Sequence, residues 1–266
     1  MSAPDLLAAI VAASRRISEV RQHAEPLAAL ERRISRAPRG EGFRHAVSES
    51  AEPRIIAECK RRSPSRGILR QDYRPAAHAS AYAAAGAAAI SVLTEPTFFD
   101  GSPDHLSEVR AVVNLPILRK DFLVTDYQMV ETAVLGADAA LLIAGAIDDR
   151  DLARLIARAG DLGLAALVEV HDRHELARAL DAGATLVGVN SRNLRTLAVD
   201  HAVLDDVAPA IPRGVVAIAE SGISSPDDLG RLAAAGYDAF LVGERLIAAE
   251  DPGAALMELR GRSACA

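Results

Sequence analysis

The chain has 266 residues and a mass of 28.0 kDa, enough for one large core or at most two small ones. Half of the residues are apolar and a quarter charged, a globular composition and not a disordered one. A net charge of −6, only 3% aromatics and no Trp argue against a nucleic-acid partner, which would need a basic face and stacking platforms.

No apolar run approaches the ~18 residues of a membrane helix, so no membrane partner is expected; LLAAIVAA near the start ends after eight. The opening MSAPD carries an acid where a secretory leader carries Lys or Arg. Cys59 and Cys265 form neither a CxxC pair nor a zinc spacing. A reducing, cytoplasmic location is the expectation.

In chain order, the first element is an amphipathic helix. Leu7, Ile10, Val11, Ser14, Ile17 and Val20 recur at helical spacing, with Arg15, Arg16, Glu19 and Arg21 among them. Residues 1–50 read as a helical extension packed on the rest, with 36–42 a linker into the first strand. Beyond it a phrase repeats: a helical stretch, a glycine, then a short apolar run. The glycines are Gly86, Gly136, Gly163, Gly183 and Gly236, suited to the left-handed residue that ends a helix. The runs lack sustained alternation, as parallel strands covered on both faces do.

Eight strands are expected, centred near Ile56, Val92, Ile117, Leu141, Leu167, Val187, Val216 and Leu241. Ser102-Pro103-Asp104 and Ser225-Pro226-Asp227 read as helix starts, and Asp172 with Glu175 as a capping box. Eight strand–helix units over residues 51–266 point to an α/β fold, a (β/α)8 TIM barrel with an N-terminal helical extension, one domain overall. A doubly wound sheet is the rival, but neither GxGxxG nor GxxxxGK occurs.

The cations are distributed unevenly: 28 Arg against two Lys, Lys60 and Lys120. Lys is compact and can lose its proton when buried, which Arg cannot, so the two lysines mark places where Arg cannot serve. Both fall at strand ends, where barrels of this kind keep their chemistry. Glu58 precedes Lys60 by two residues and so shares its face, while Cys59 between them faces the helices as a small buried apolar residue. Glu169 ends the fifth strand, Asn190 and Arg192 the sixth, and Glu220, Ser221 and Gly222 the seventh.

A structural ring of ion pairs is the plain explanation for these charges. Burial costs several kcal/mol per ion, so a set of matched acids and bases explains them better. An ammonium with its pKa drawn toward neutrality would be the acid. Ser221-Gly222 and Val242-Gly243-Glu244, after the last two strands, suit a phosphate group. The cationic loop RRSPSRGILRQ reads as a lid holding an anion, and Phe98, Phe99 and Phe122 either as ordinary packing or as walls for a ring. His171 and His174 form HxxH, read as a water-facing helix start in preference to metal ligands.

Together, IIAECKRRSPSRG, SVLTEPTFFDGS, PILRKDF, ALVEVHD, VGVNSRNL, VAIAESGIS and FLVGE resemble the indole-3-glycerol-phosphate synthases, from about residue 5 to 260. The resemblance implies closure of 1-(2-carboxyphenylamino)-1-deoxyribulose 5-phosphate to indole-3-glycerol phosphate, with loss of CO2 and water and no metal or organic cofactor. It implies that Lys120 protonates the ketone oxygen, and that Lys60 holds the anthranilate carboxylate and assists dehydration. Glu58 and Glu169 would accept protons and stabilise the cationic intermediate. Asn190, Arg192, Ser221 and Glu220 would orient substrate and lysines. Ser63, Gly222 and the Val242-Gly243 backbone would hold the phosphate, Glu244 would belong to the substrate-binding residues beside them, and Phe98 or Phe99 with Phe122 would wall the ring.

The family often has Ser where this chain has Arg245, which leaves phosphate on backbone N–H groups with that guanidinium nearby. The alternatives are another phosphosugar barrel, such as phosphoribosylanthranilate isomerase, or a barrel that binds a precursor without turning it over. The isomerase would favour a Cys/Asp pair, and the binder has no use for the full Glu/Lys set. The expected partner is a small phosphorylated molecule, and with no long apolar seam the expected state is a monomer.

Overall fold

The computed structural model describes residues 5–261, so Cys265 lies outside the described residues. Eight parallel strands close into a barrel: β1 (Ile55–Cys59), β2 (Ala89–Leu93), β3 (Ile117–Lys120), β4 (Ala139–Ile143), β5 (Ala165–Val170), β6 (Leu186–Asn190), β7 (Val216–Glu220) and β8 (Ala239–Val242). Neighbours in sequence are neighbours in the sheet, and β1 pairs with both β2 and β8. This is the (β/α)8 architecture expected, and all eight strand centres fall inside strands.

Each strand alternates between two apolar layers. Ile55, Ala57, Ile90, Val92, Ile117, Val168 and Val187 face outward under the helices. Ile56, Ala89, Leu118, Leu141, Leu167, Ile218 and Leu241 fill the barrel interior. Both layers are dry, which is why the runs read as continuous apolar sequence. The five helix-ending glycines all have positive φ, from 75° at Gly163 to 106° at Gly236, a region where a Cβ is costly. Ser102, Asp172 and Ser225 cap their helices as expected.

The N-terminal extension is more structured than the sequence suggests. Residues 40–48, partly read as linker, form a helix, α3 (Gly40–Ser48), after α1 (Leu6–Ala24) and α2 (Leu27–Glu31). Phe43 and Val47 of α3 are fully buried in the interior cluster and plug the bottom of the barrel. Arg44 ties the plug down by donating to the carbonyls of Thr185 (3.0 Å) and Gly214 (3.1 Å). Gly40 permits the close approach: a Cβ there would lie 2.5 Å from the Ala165 nitrogen. Asp138, also fully buried, fixes the preceding segment through Arg36 (2.7 Å) and the Arg39 N–H (2.9 Å).

On α1, Leu7 and Ile10 are buried as expected, but Val20 is 54% exposed and Ser18 is buried in its place. The surface that α1 meets is polar. Ser14 donates to the Phe122 carbonyl (2.6 Å), and Ser18 bonds the Thr125 hydroxyl (2.8 Å). The extension thereby braces the loop after β3, on which Phe122 sits.

Candidate active site

Strand parity positions the charged residues. Glu58, Lys120, Glu169, Asn190 and Glu220 take the inward phase of their strands, two residues beyond interior apolar or glycine positions, and Lys60 continues that phase past β1. They line a cavity of about 550 Å³ at the C-terminal end of the barrel.

Lys120 Nζ lies 2.6 Å from Glu169 Oε2 and 2.8 Å from Glu220 Oε2. Lys60 Nζ lies 2.6 Å from Glu58 Oε1. Asn190 donates to Glu169 Oε1 at 3.0 Å and accepts from the Arg192 N–H at 2.9 Å. Both amines therefore sit inside the mouth and against carboxylates, as the sequence reading requires. Cys59 points the other way, fully buried among the outer apolar layer, and burial pushes its thiol well above the usual range.

One expectation is overturned. The Lys120 ammonium is not drawn toward neutrality. Burial pulls its pKa down, but the Glu169 and Glu220 carboxylates outweigh that and hold it above the ordinary lysine value. The perturbation toward neutrality falls instead on Glu220. Burial, with the like charges of Glu169 and Glu58, raises it to about 7 against the pull of Lys120. Its Oε1 is buried and, among the described residues, has no hydrogen-bond partner. Glu169 moves the other way: burial would raise it, yet Lys120 and His171 hold it below the carboxylate range.

The cationic loop after β1 is a small hairpin, with Arg62–Ser63 pairing antiparallel to Gly67–Ile68. Its tip reaches over the cavity. Arg66 pairs with Glu244 at 2.5 Å, and Arg192 approaches both Ser65 Oγ (3.3 Å) and Glu244 Oε2 (3.4 Å). Ser63, Arg192, Glu244, Gly222, Val242 and Gly243 all line the cavity, and Ser221 lines it beside Gly222. Ser221 (φ 68°) and Gly222 (φ 71°) are successive left-handed residues, and a Cβ on Gly222 would strike the His201 ring. Arg245 also lines the cavity, but its guanidinium pairs with Glu258 at 3.1 Å. Phe99 and Phe122 form the aromatic wall, centroids 6.2 Å apart. Phe98 packs beside them against the interior cluster and is not among the residues lining the cavity.

Three residues of the site were not assigned from sequence. Glu95, buried after β2, accepts from the N–H groups of Thr97, Phe98 and Phe99 (2.7–3.0 Å) and so sets the aromatic wall. His171, expected to face water, is mostly buried between Glu169 and Glu175, whereas His174 is exposed. Glu175 consequently completes no capping box, because its side chain accepts from the His171 N–H. Gly188 is the third. A Cβ at this position would come within 2.1 Å of Glu220 Oε1. Gly188→Ala is expected to fold, since a side-chain end can yield, but to displace Glu220 from Lys120. Misplacement on that scale costs on the order of 10²-fold in turnover; steady-state rates beside a thermal melt check this. Among the described residues, no group of three or more His, Cys, Asp or Glu is placed to hold a metal ion.

The sequence model for indole-3-glycerol phosphate synthase matches residues 7–259. The protein of that name from Parafrankia sp. (strain EAN1pec) is 52% identical over 235 residues, covering 88% of this chain and 87% of its own. The one from Azospirillum brasilense is 43% identical over 258 residues, covering 96% and 98%. The solved structure of 3-hexulose-6-phosphate synthase shares the barrel alone, with a TM-score of 0.63 at 16% identity over 79% of this chain and all of that one. A match of this length, carried by relatives that align almost end to end, means that the chain belongs to the indole-3-glycerol phosphate synthase family.

Proposed function

We propose that the chain closes the indole ring of indole-3-glycerol phosphate, starting from 1-(2-carboxyphenylamino)-1-deoxyribulose 5-phosphate and releasing CO2 and water. The observation that carries this reading is the buried cluster in which Lys120 lies 2.6 Å from Glu169 and 2.8 Å from Glu220, in a cavity walled by Phe99 and Phe122. Lys120 gives a proton to the ketone oxygen as the ring carbon attacks the carbonyl carbon. The N–H bond breaks as the O–H bond forms. Glu220, poised near neutral pH, is the group that restores the proton to the lysine, so the cluster as a whole acts as the acid.

Attack disrupts the aromatic ring and builds positive charge toward the nitrogen. Glu169 and Glu58, buried and fixed at the mouth, stabilise that charge with little reorganisation at the moment of reaction. Lys60 holds the anthranilate carboxylate and, paired with Glu58, assists departure of the hydroxyl as water. Ser63, Ser221, Gly222, Val242 and Gly243 line the phosphate end. Arg66 and Arg192, gathered there around Glu244, supply positive charge. Asn190 aims Glu169.

Among the described residues no helix is long and apolar enough to cross a membrane, and the working form is proposed to be a cytoplasmic monomer. Incubating the pure protein with the substrate should produce indole absorbance and fluorescence, and the same preparation should elute from a sizing column near 28.0 kDa. Binding without indole formation would leave only a precursor-binding barrel. Neither binding nor turnover would reopen the isomerase class.

A further inference from the structure

His171 has no part in the reaction as described, yet it lies between the Glu169 carboxylate and the protein surface. It follows β5 directly, and Glu175, in the first turn of the helix Arg173–Asp181, faces its other side. Nε2 lies 3.3 Å from Glu169 Oε1, within ion-pair range, and Nδ1 lies 3.0 Å from Glu175 Oε2. Glu175 also accepts from the His171 backbone N–H at 2.9 Å, which fixes the ring's direction. With Nδ1–H given to Glu175, a proton on Nε2 lies at ion-pair distance from Glu169 Oε1, without the alignment of a hydrogen bond. Among the described residues, the charged groups paired with the imidazole are these two carboxylates. Lys120 contacts the other oxygen of Glu169, Oε2, and the Asn190 amide donates to the same Oε1 that faces the imidazole.

We propose that His171 is a positioning residue for Glu169. Held as an imidazolium between Glu169 and Glu175, it keeps the buried carboxylate charged and aimed while Lys120 parts with its proton. The inference rests on the functional reading above. The charge balance around Glu169 explains the need. Glu169 and Glu220 share the single Lys120 ammonium. When that proton moves to the substrate oxygen, both carboxylates lose their countercharge. A neutral amine beside a buried carboxylate invites Glu169 to take up a proton, which would remove the charge that stabilises the cationic intermediate. A second cation on Oε1 removes that drift, and His171 itself exchanges no proton in the step. Burial alone would lower its pKa, but the two carboxylates raise it to about 10, so the charge persists across the working range.

The test compares the full-length wild type with His171→Gln and Glu175→Gln. In His171→Gln, kcat should fall about tenfold with KM changed less than about twofold, and the acidic limb of the kcat/KM profile should move up by about one pH unit. Glu175→Gln should move the limb the same way by less. The imidazole signals of the wild type, assigned by difference against His171→Gln, should show a doubly protonated ring through pH 8. A neutral ring at pH 7, or an unmoved acidic limb in a folded His171→Gln or Glu175→Gln protein, overturns the role. If the wild type forms no indole, the functional reading itself fails, and the ring's protonation still decides whether His171 supplies the charge.

Discussion

Lys120→Arg is expected to slow indole formation about 10²–10⁴-fold, close to the loss for Lys120→Ala. Arginine retains the positive charge that Glu169 and Glu220 need at 2.6 and 2.8 Å, so the cluster stays compensated. It does not part with a proton, and its planar fork is longer than the ammonium it replaces. Alanine removes the charge as well and leaves two carboxylates, each 1% exposed, without their partner. Breaking a buried pair in that way costs about 3–5 kcal/mol, eased here because Glu220 can take up a proton. The two variants should therefore be alike in turnover and unlike in stability, with Lys120→Ala melting lower. Turnover and thermal melts on the same preparations decide it. An arginine variant that keeps more than about a tenth of the wild-type rate would remove the proton-donor role.

Where a feature is set by local chemistry, it was legible in the sequence. The five repeat glycines mark helix ends because the left-handed conformation there penalises any Cβ, whatever packs nearby. The scarcity of lysine led to Lys60 and Lys120 because their alternative, arginine, differs in one physical property that the chemistry uses. Strand parity then placed Glu58, Lys120, Glu169, Asn190 and Glu220 on one face.

What was not legible depends on partners far away in sequence. The segment 40–48 carries two glycines, and its helix is secured by Phe43 and Val47 entering the barrel floor. Ser18 outranks Val20 on α1 because the surface it meets offers the Thr125 hydroxyl. Nothing in HDRHE reports that His171 turns inward, since that follows from Glu169 lying 3.3 Å away. The direction of the Lys120 shift is hidden from the sequence for the same reason. Spacing along strands says which residues share a mouth, but not that two carboxylates close on a single ammonium.

The second large effect concerns stability against pH. In the unfolded chain Glu220 titrates near 4.5, and in the folded chain burial and its like-charged neighbours raise it to about 7. Between those values the folded state binds the proton more tightly than the unfolded state does. The resulting stabilisation is complete below the unfolded value and is lost as pH rises through the folded one. For a fully buried group the loss is on the order of 3 kcal/mol, from about 1.4 kcal/mol per pKa unit. Glu169 and Lys120 do not produce this trend. Glu169 is held below the carboxylate range, so its contribution falls away only in acid. Lys120 is held above the lysine range, so its contribution persists to alkaline pH.

Glu220→Gln keeps the shape and an Nε2–H2 in place of the protonated acid, but it cannot ionise. Its melting temperature should match or fall slightly below the wild type at pH 5, where the wild-type acid is neutral. It should then overtake the wild type by pH 8, where the native carboxylate is charged beside Glu169. Melting curves of the two proteins at pH 5, 6, 7 and 8 measure this directly, and parallel curves would mean that Glu220 does not titrate in this window. Activity should move in the opposite sense. A glutamine cannot return a proton to Lys120, so the variant that gains stability at pH 8 should be the slower catalyst there. Stability sacrificed to keep a titratable acid inside the barrel is what separates a site built for proton transfer from a ring of structural ion pairs.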